Sequence, residues 1–250
     1  MLGKLFSRGR SGADGAASVP DGKRIYAIGD IHGRLDMLDT LLGRIGDDSD
    51  GLDKAQLIFL GDYVDRGLDS KGVIDRLLSL KAAYPTAVFL KGNHEALMLD
   101  FLDEPDDLPQ WLDWGGMETL QSYDVEAMGL PPTMIARQLR ANLPPGHLKF
   151  LETLALTHVE GDYLFVHAGV RPGLPLDQQK EEDLIWIRKK FHQAAPDERP
   201  ELVVVHGHTP EDKPVDVGWR IGVDTGACYG GMLTAVVLHG AERRFISVKN

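Results

Sequence analysis

Three short strings in the first hundred residues combine carboxylate, imidazole and amide side chains with neighbouring glycines. They are Gly29-Asp30-Ile31-His32-Gly33, Gly61-Asp62-Tyr63-Val64-Asp65-Arg66-Gly67 and Gly92-Asn93-His94-Glu95. Two more follow downstream, His167-Ala168-Gly169 and His206-Gly207-His208-Thr209. Carboxylate, imidazole and amide donors together suit manganese, iron or zinc. The adjoining glycines let the chain turn sharply where strand becomes loop. A carboxylate can bridge two cations, and two ions about 3.5–4 Å apart can hold an attacking water and a phosphoryl oxygen together while lowering the pKa of that water. With Cys228 the single cysteine, the chain argues against a closed thiolate zinc site.

Each string follows an apolar run of strand length. KRIYAIGD, AQLIFLGD and TAVFLKGN alternate with two segments of helical periodicity, one carrying Leu35, Leu38, Leu41, Leu42 and Ile45, the other Val73, Ile74, Leu77, Leu78 and Leu80. This β-α-β-α-β order predicts a parallel sheet flanked by helices. The ligand-type residues then gather on one rim, beyond the carboxyl ends of the strands. Residues from about 96 to 158 are expected to form a mainly helical insert, with Pro131-Pro132 and Pro144-Pro145 at helix starts or turns. Trp111, Trp114 and Met117, at helical spacing, are read as core. DYLFVHAG, ELVVVHGH, WRIGVD, MLTAVVL and FISVK resume strand character, and the turn signals between the last of them suggest antiparallel pairing. Residues 1–22 read as a flexible tail and 23–250 as one domain.

The net charge of −11 argues against duplex nucleic acid as a partner, since such binding draws on Lys and Arg. It leaves phosphate substrates open, because bound metals and local arginines can invert the field in one cleft. No apolar run approaches the roughly 20 residues that span a membrane, so no membrane partner is expected. The lone cysteine forms no intramolecular disulfide, and a cytoplasmic location is expected. Cys228 itself reads as a buried, inert thiol.

GDIHGR, GDYVDRG and GNHE in that order, with HAG, DLIWIR, GHTP and DTGACYGG downstream, resemble the phosphoprotein phosphatase branch of the metallophosphoesterases, in the short form of bacterial and phage members. The resemblance implies an α/β, calcineurin-like fold in which two β-sheets pack as a sandwich flanked by α-helices. It implies two divalent ions, manganese first, with iron or zinc at one site. Asp30 and His32 would hold the first ion, Asp62 would bridge, and Asn93, His167 and His208 would hold the second. Arg66 and Arg188, with Asn93, would grip phosphate. His94 would be the general acid, oriented by Asp65. His206 is read as structural or supporting, because the family ligand is the His of GHT and Pro210 stands where other branches carry a further His.

The implied activity is hydrolysis of phosphoserine and phosphothreonine in proteins by direct attack of a metal-bridging hydroxide, without a phosphoenzyme. The alternative is symmetrical hydrolysis of diadenosine tetraphosphate, or a broad phosphomonoesterase or phosphodiesterase. The partner is thus a phosphoprotein or a phosphorylated small molecule, and oligomeric state is left open. Arg34 is poised between substrate and solvent, and Arg171 is a weaker substrate candidate. Tyr229 is assigned to packing, and His147, His158, His192 and His239 to surface or packing.

Overall fold

In β1 (Arg24–Ile28) successive side chains face opposite sides of the pleat. Ile25 and Ala27 enter one apolar cluster, shared with Ile58, Leu60, Tyr163, Phe165, Val205, Ile221 and Val236. Tyr26 and Ile28 enter another, shared with Leu38, Leu41, Ile45, Ile74 and Leu77. The first cluster lies between two sheets and the second between a sheet and its helices. A computed structural model describes residues 16–249 of the chain, and the start of the expected N-terminal tail lies outside them.

The remaining strands are β2 (Gln56–Phe59), β3 (Val88–Phe89), β4 (Thr157–Glu160), β5 (Tyr163–Val166), β6 (Val203–His206), β7 (Val215–Asp216), β8 (Arg220–Gly222), β9 (Asp224–Thr225), β10 (Met232–His239) and β11 (Glu242–Val248). One sheet runs β11-β10-β1-β2-β3, with β9 beside β10, and the other β4-β5-β6-β8-β7. The expected sandwich is observed. The first strands are parallel, as their alternation with α1 (Leu35–Ser49) and α2 (Ser70–Ala83) requires. The β10–β11 hairpin is antiparallel as expected. WRIGVD instead pairs parallel with ELVVVHGH, because β7 intervenes as an antiparallel return.

The insert holds α3 (Asn93–Asp103), a π-helical turn (Leu112–Gly116), α4 (Met117–Ser122), α5 (Pro132–Asn142) and α6 (Pro145–Glu152). Strand β4 begins at Thr157, so the helical part ends slightly before the expected boundary. α7 (Glu181–Trp186) and α8 (Lys189–His192) cover the outer face of the second sheet through Leu184, Ile185 and Phe191. Ordered packing starts earlier than residue 23. Ala17 and Val19 are buried, Val19 N–H donates to the Gly240 carbonyl over 3.0 Å, and Tyr163 Oη–H donates to the Ala17 carbonyl. Among the described residues no helix is long and apolar enough to cross a membrane.

Candidate metal centre

The predicted side chains stand where β1, β2, β3, β5 and β6 end, and the backbone there is unusual. Seven non-glycine residues among those described have positive φ, and five of them are His32, Asp62, Asp65, Arg66 and His208. Such conformations cost about 1–3 kcal/mol each and persist where surrounding contacts enforce them. Those contacts are present. Ile31 N–H and His32 N–H both donate to the Asp62 carbonyl, and Gly33 N–H to that of Tyr63, so the first two strings are stitched together. Gly33, at φ 62°, abuts Gly67 backbone and leaves no room for a side chain.

Glu95 ties the third string to the second. Its Oε2 accepts from Asp62 N–H at 2.8 Å and Gly92 N–H at 2.9 Å, and its Oε1 from Tyr63 N–H at 2.6 Å and Val64 N–H at 3.3 Å. Burial, then the nearby Asp62 charge, pushes its carboxyl up to about 7. Sequence reasoning gave Glu95 no role. Its place three residues after Gly92, as in a capping box, was the available signal.

Two groups of donor atoms, each within 4.8 Å, share Asp62: His32, Asp62 and His94, and Asp62, His167 and His208. Hydrogen bonds orient the rings. His32 Nδ1 lies 2.8 Å from the Val64 carbonyl and donates there, leaving Nε2 facing Asp62 Oδ2 and Arg66 Nη1. His167 Nδ1 donates likewise to the Leu60 carbonyl over 2.9 Å. His167 Nε2 then faces Asn93 Oδ1 at 3.0 Å, His208 Nδ1 at 3.2 Å and Asp62 Oδ1 at 3.4 Å. Imidazoles with one nitrogen fixed on a carbonyl and the other aimed at further donors are a common pattern in metal ligation. Electron-pair donors converge there in a buried space, and this donor set fits a pair of divalent ions.

Electrostatics agree. Burial opposes charge on Asp62, yet His167, His94 and His32 hold its carboxyl well below the usual range. Burial, with His167 nearby, takes His208 down to about 2, so it is a neutral donor. Asp30 is buried on the same rim, with both oxygens 3.1 Å from His208 N–H, and belongs to neither group of donors. Burial and the adjacent Asp224 raise its carboxyl well above the usual range. Asp224, also buried, is a second residue that sequence reasoning left without a role, although it opens the DTGACYGG string.

His94 Nδ1 lies 2.6 Å from Asp65 Oδ2, and both side chains are buried. Asp65 also accepts from Thr119 Oγ1 at 2.7 Å and Trp111 Nε1 at 2.9 Å. Trp111 is thus core, as expected, with an added polar contact. Trp114 and Met117 are not core: they are 45% and 44% exposed. The helical spacing is interrupted by Gly115, whose φ of 111° swings the chain around Arg66. Arg66 N–H donates to the Gly115 carbonyl over 3.0 Å.

Arg66 reaches the His32 side of the centre, and Arg188 the His208 side, where its Nη1 donates to the His208 carbonyl at 2.7 Å. Tyr229, expected to pack, is exposed, with the Arg66 guanidinium 5.4 Å from its ring. Arg34 bonds Asp36 and the Ala227 carbonyl, and Arg171 is held bidentately by Asp183. His206 is buried on Gly207 and Arg220 and belongs to neither donor group. His147 is buried between Tyr123 and Asp75, and His239 is exposed.

A model of the family described as calcineurin-like phosphoesterase matches residues 23–230. The asymmetrical bis(5'-nucleosyl)-tetraphosphatase PrpE of Oceanobacillus iheyensis is 26% identical over 247 residues, covering 90% of this chain and 92% of that protein. Its counterpart in Geobacillus thermodenitrificans is 30% identical over 235 residues, covering 85% and 89%. Among solved structures, one provisionally named a diadenosine tetraphosphatase has a TM-score of 0.63 at 23% identity, over 94% of this chain and 99% of that one. A protein serine/threonine phosphatase from Saccharomyces cerevisiae gives 0.64 at 16%, over 92% and 80%. These structural likenesses concern the fold.

Proposed function

This chain belongs to the calcineurin-like phosphoesterase family, and we propose that it is a two-metal hydrolase cleaving dinucleoside tetraphosphates asymmetrically, to a nucleoside triphosphate and a nucleoside monophosphate. The observation that carries this reading is the similarity, over most of both chains, to the two bis(5'-nucleosyl)-tetraphosphatases. It replaces the phosphoprotein substrate first expected from the strings, and it takes asymmetrical over symmetrical cleavage from the same relatives.

In this reading His32, Asp62 and Asp30 would hold one ion, and Asp62, Asn93, His167 and His208 would hold the other. When bound, such ions supply Lewis acidity and an activated water, and manganese is our first assignment. Arg66 and Arg188 approach from opposite sides and clamp phosphoryl oxygens in the planar fashion that guanidinium allows. His94 delivers a proton to the departing oxygen, and Asp65 holds Nδ1 so that Nε2 faces the substrate. The enzyme would act in the cytoplasm.

One observation favours a second reading. A buried His94–Asp65 pair is of most use where the leaving group is a poor alkoxide, as in phosphoserine or phosphothreonine, and less so for a phosphate anhydride. Product analysis tests the first reading. Diadenosine tetraphosphate with manganese should yield ATP and AMP in equal amounts. Two equivalents of ADP, or no turnover, would overturn it.

A further inference from the structure

We propose that Trp114 and Trp186 form a platform on which a nucleobase of the substrate stacks. This rests on the dinucleotide reading and deepens it. The two indoles come from different parts of the fold, Trp114 from the π-helical turn of the insert and Trp186 from the end of α7. Their rings meet at 6.3 Å and 66°. Trp186 also meets the His208 ring at 6.1 Å, edge to face, which makes the pair continuous with the proposed metal centre.

Both rings remain open, at 45% and 36% exposure, whereas Trp111 is fully buried with its N–H satisfied by Asp65. Packing therefore accounts for Trp111 and leaves Trp114 and Trp186 each partly open. Each tryptophan lies close in the chain to one of the two arginines proposed to face phosphate, or to a residue that meets it. Gly115, next to Trp114, accepts from Arg66 N–H, and Arg188, two residues after Trp186, donates to His208. A substrate whose phosphates lie between those arginines has a ribose and a base within reach of these rings. Base–aromatic stacking is tolerant of base identity because every base presents a π face. The platform thus binds nucleobases without strong preference among them, and it distinguishes a nucleotide from a bare polyphosphate.

The test compares kcat/KM for diadenosine tetraphosphate with that for inorganic tetraphosphate, which carries the anhydride chain without bases. In Trp114→Ala the ratio of dinucleotide to inorganic substrate should fall about tenfold, the scale of one lost stack. In Trp114→Phe, which keeps an aromatic face, the ratio should stay within about threefold of wild type. An unchanged ratio in Trp114→Ala, or an equal loss on both substrates, would overturn the platform while wild-type turnover of the dinucleotide leaves the proposed function standing. A wild type that cleaves inorganic tetraphosphate and ignores the dinucleotide would overturn the functional reading on which the platform depends.

Discussion

The Trp111 indole N–H donates to Asp65 Oδ2 over 2.9 Å, across 46 positions of sequence. The same oxygen faces His94 Nδ1 at 2.6 Å. With Thr119 on Oδ1, the Asp65 carboxylate is held from three directions in a fully buried setting. The helical insert therefore reaches the proposed proton donor, His94, by way of Asp65 through Trp111 and Thr119, although neither residue lies in any of the recognisable strings.

Trp111→Phe preserves the apolar body of the side chain and removes one hydrogen bond to a charged group, an interaction of about 1.5–3 kcal/mol. We expect kcat on an alkyl phosphate to fall roughly tenfold, with a smaller fall on an aryl phosphate, whose leaving group needs less proton donation. Equal losses on both would mean that Trp111 only packs.

His94→Asn should lower kcat on an alkyl phosphate at least about 10²-fold. His94 stands among the first group of donor atoms as well as beside Asp65, so metal content decides between two roles. Elemental analysis should still find two ions per chain. Loss of one would make His94 a ligand in place of a proton donor.

Glu95→Gln swaps a carboxylate that accepts four backbone N–H groups for an amide whose NH2 must face some of them. An unsatisfied buried polar group costs about 1–3 kcal/mol, and for a chain of this size each kcal/mol shifts Tm by roughly 2–4 °C. Calorimetry should show Tm lower by roughly 5 °C. A variant with unchanged Tm would remove Glu95 from its place as the tie between the second and third strings.

Cys228 is half-buried, less enclosed than its sequence context suggested, but burial pushes its thiol up to about 11. Because the thiolate is the reactive form, iodoacetamide labelling of the folded protein at pH 8 should run about 10²-fold slower than for an ordinary thiol, and should accelerate as pH rises towards 11. Rapid labelling at pH 8 would show a thiol far more acidic than its burial dictates.

Much of the candidate centre was legible because its parts are local. Asp30, Asp62 and Asn93 each directly follow a glycine that lies just beyond the end of a strand, and the strand–helix alternation alone brings such residues to one rim. Even the ring orientations depend on nearby main-chain carbonyls just beyond β2, those of Leu60 and Val64. The insert was not legible in the same way. Helical spacing joined Trp111, Trp114 and Met117 into one apolar face, but Gly115 at positive φ splits them, sending Trp111 inward to Asp65 and leaving Trp114 on the rim. A glycine's backbone choice is set by the Arg66 main chain it packs against, which lies far away in sequence. Packing of Ala17 and Val19 against Gly240 and Tyr163 was hidden for the same reason, since a Gly/Ala/Ser-rich stretch carries no periodic signal.

The proposed substrate is tested most directly by a side-by-side kcat/KM comparison, with manganese supplied, of diadenosine tetraphosphate, a phosphothreonine peptide and a phosphotyrosine peptide. The dinucleotide should be preferred at least about tenfold. A preference for either phosphopeptide would contradict it and return the chain to the phosphoprotein phosphatase reading, with the same proposed metal ligands.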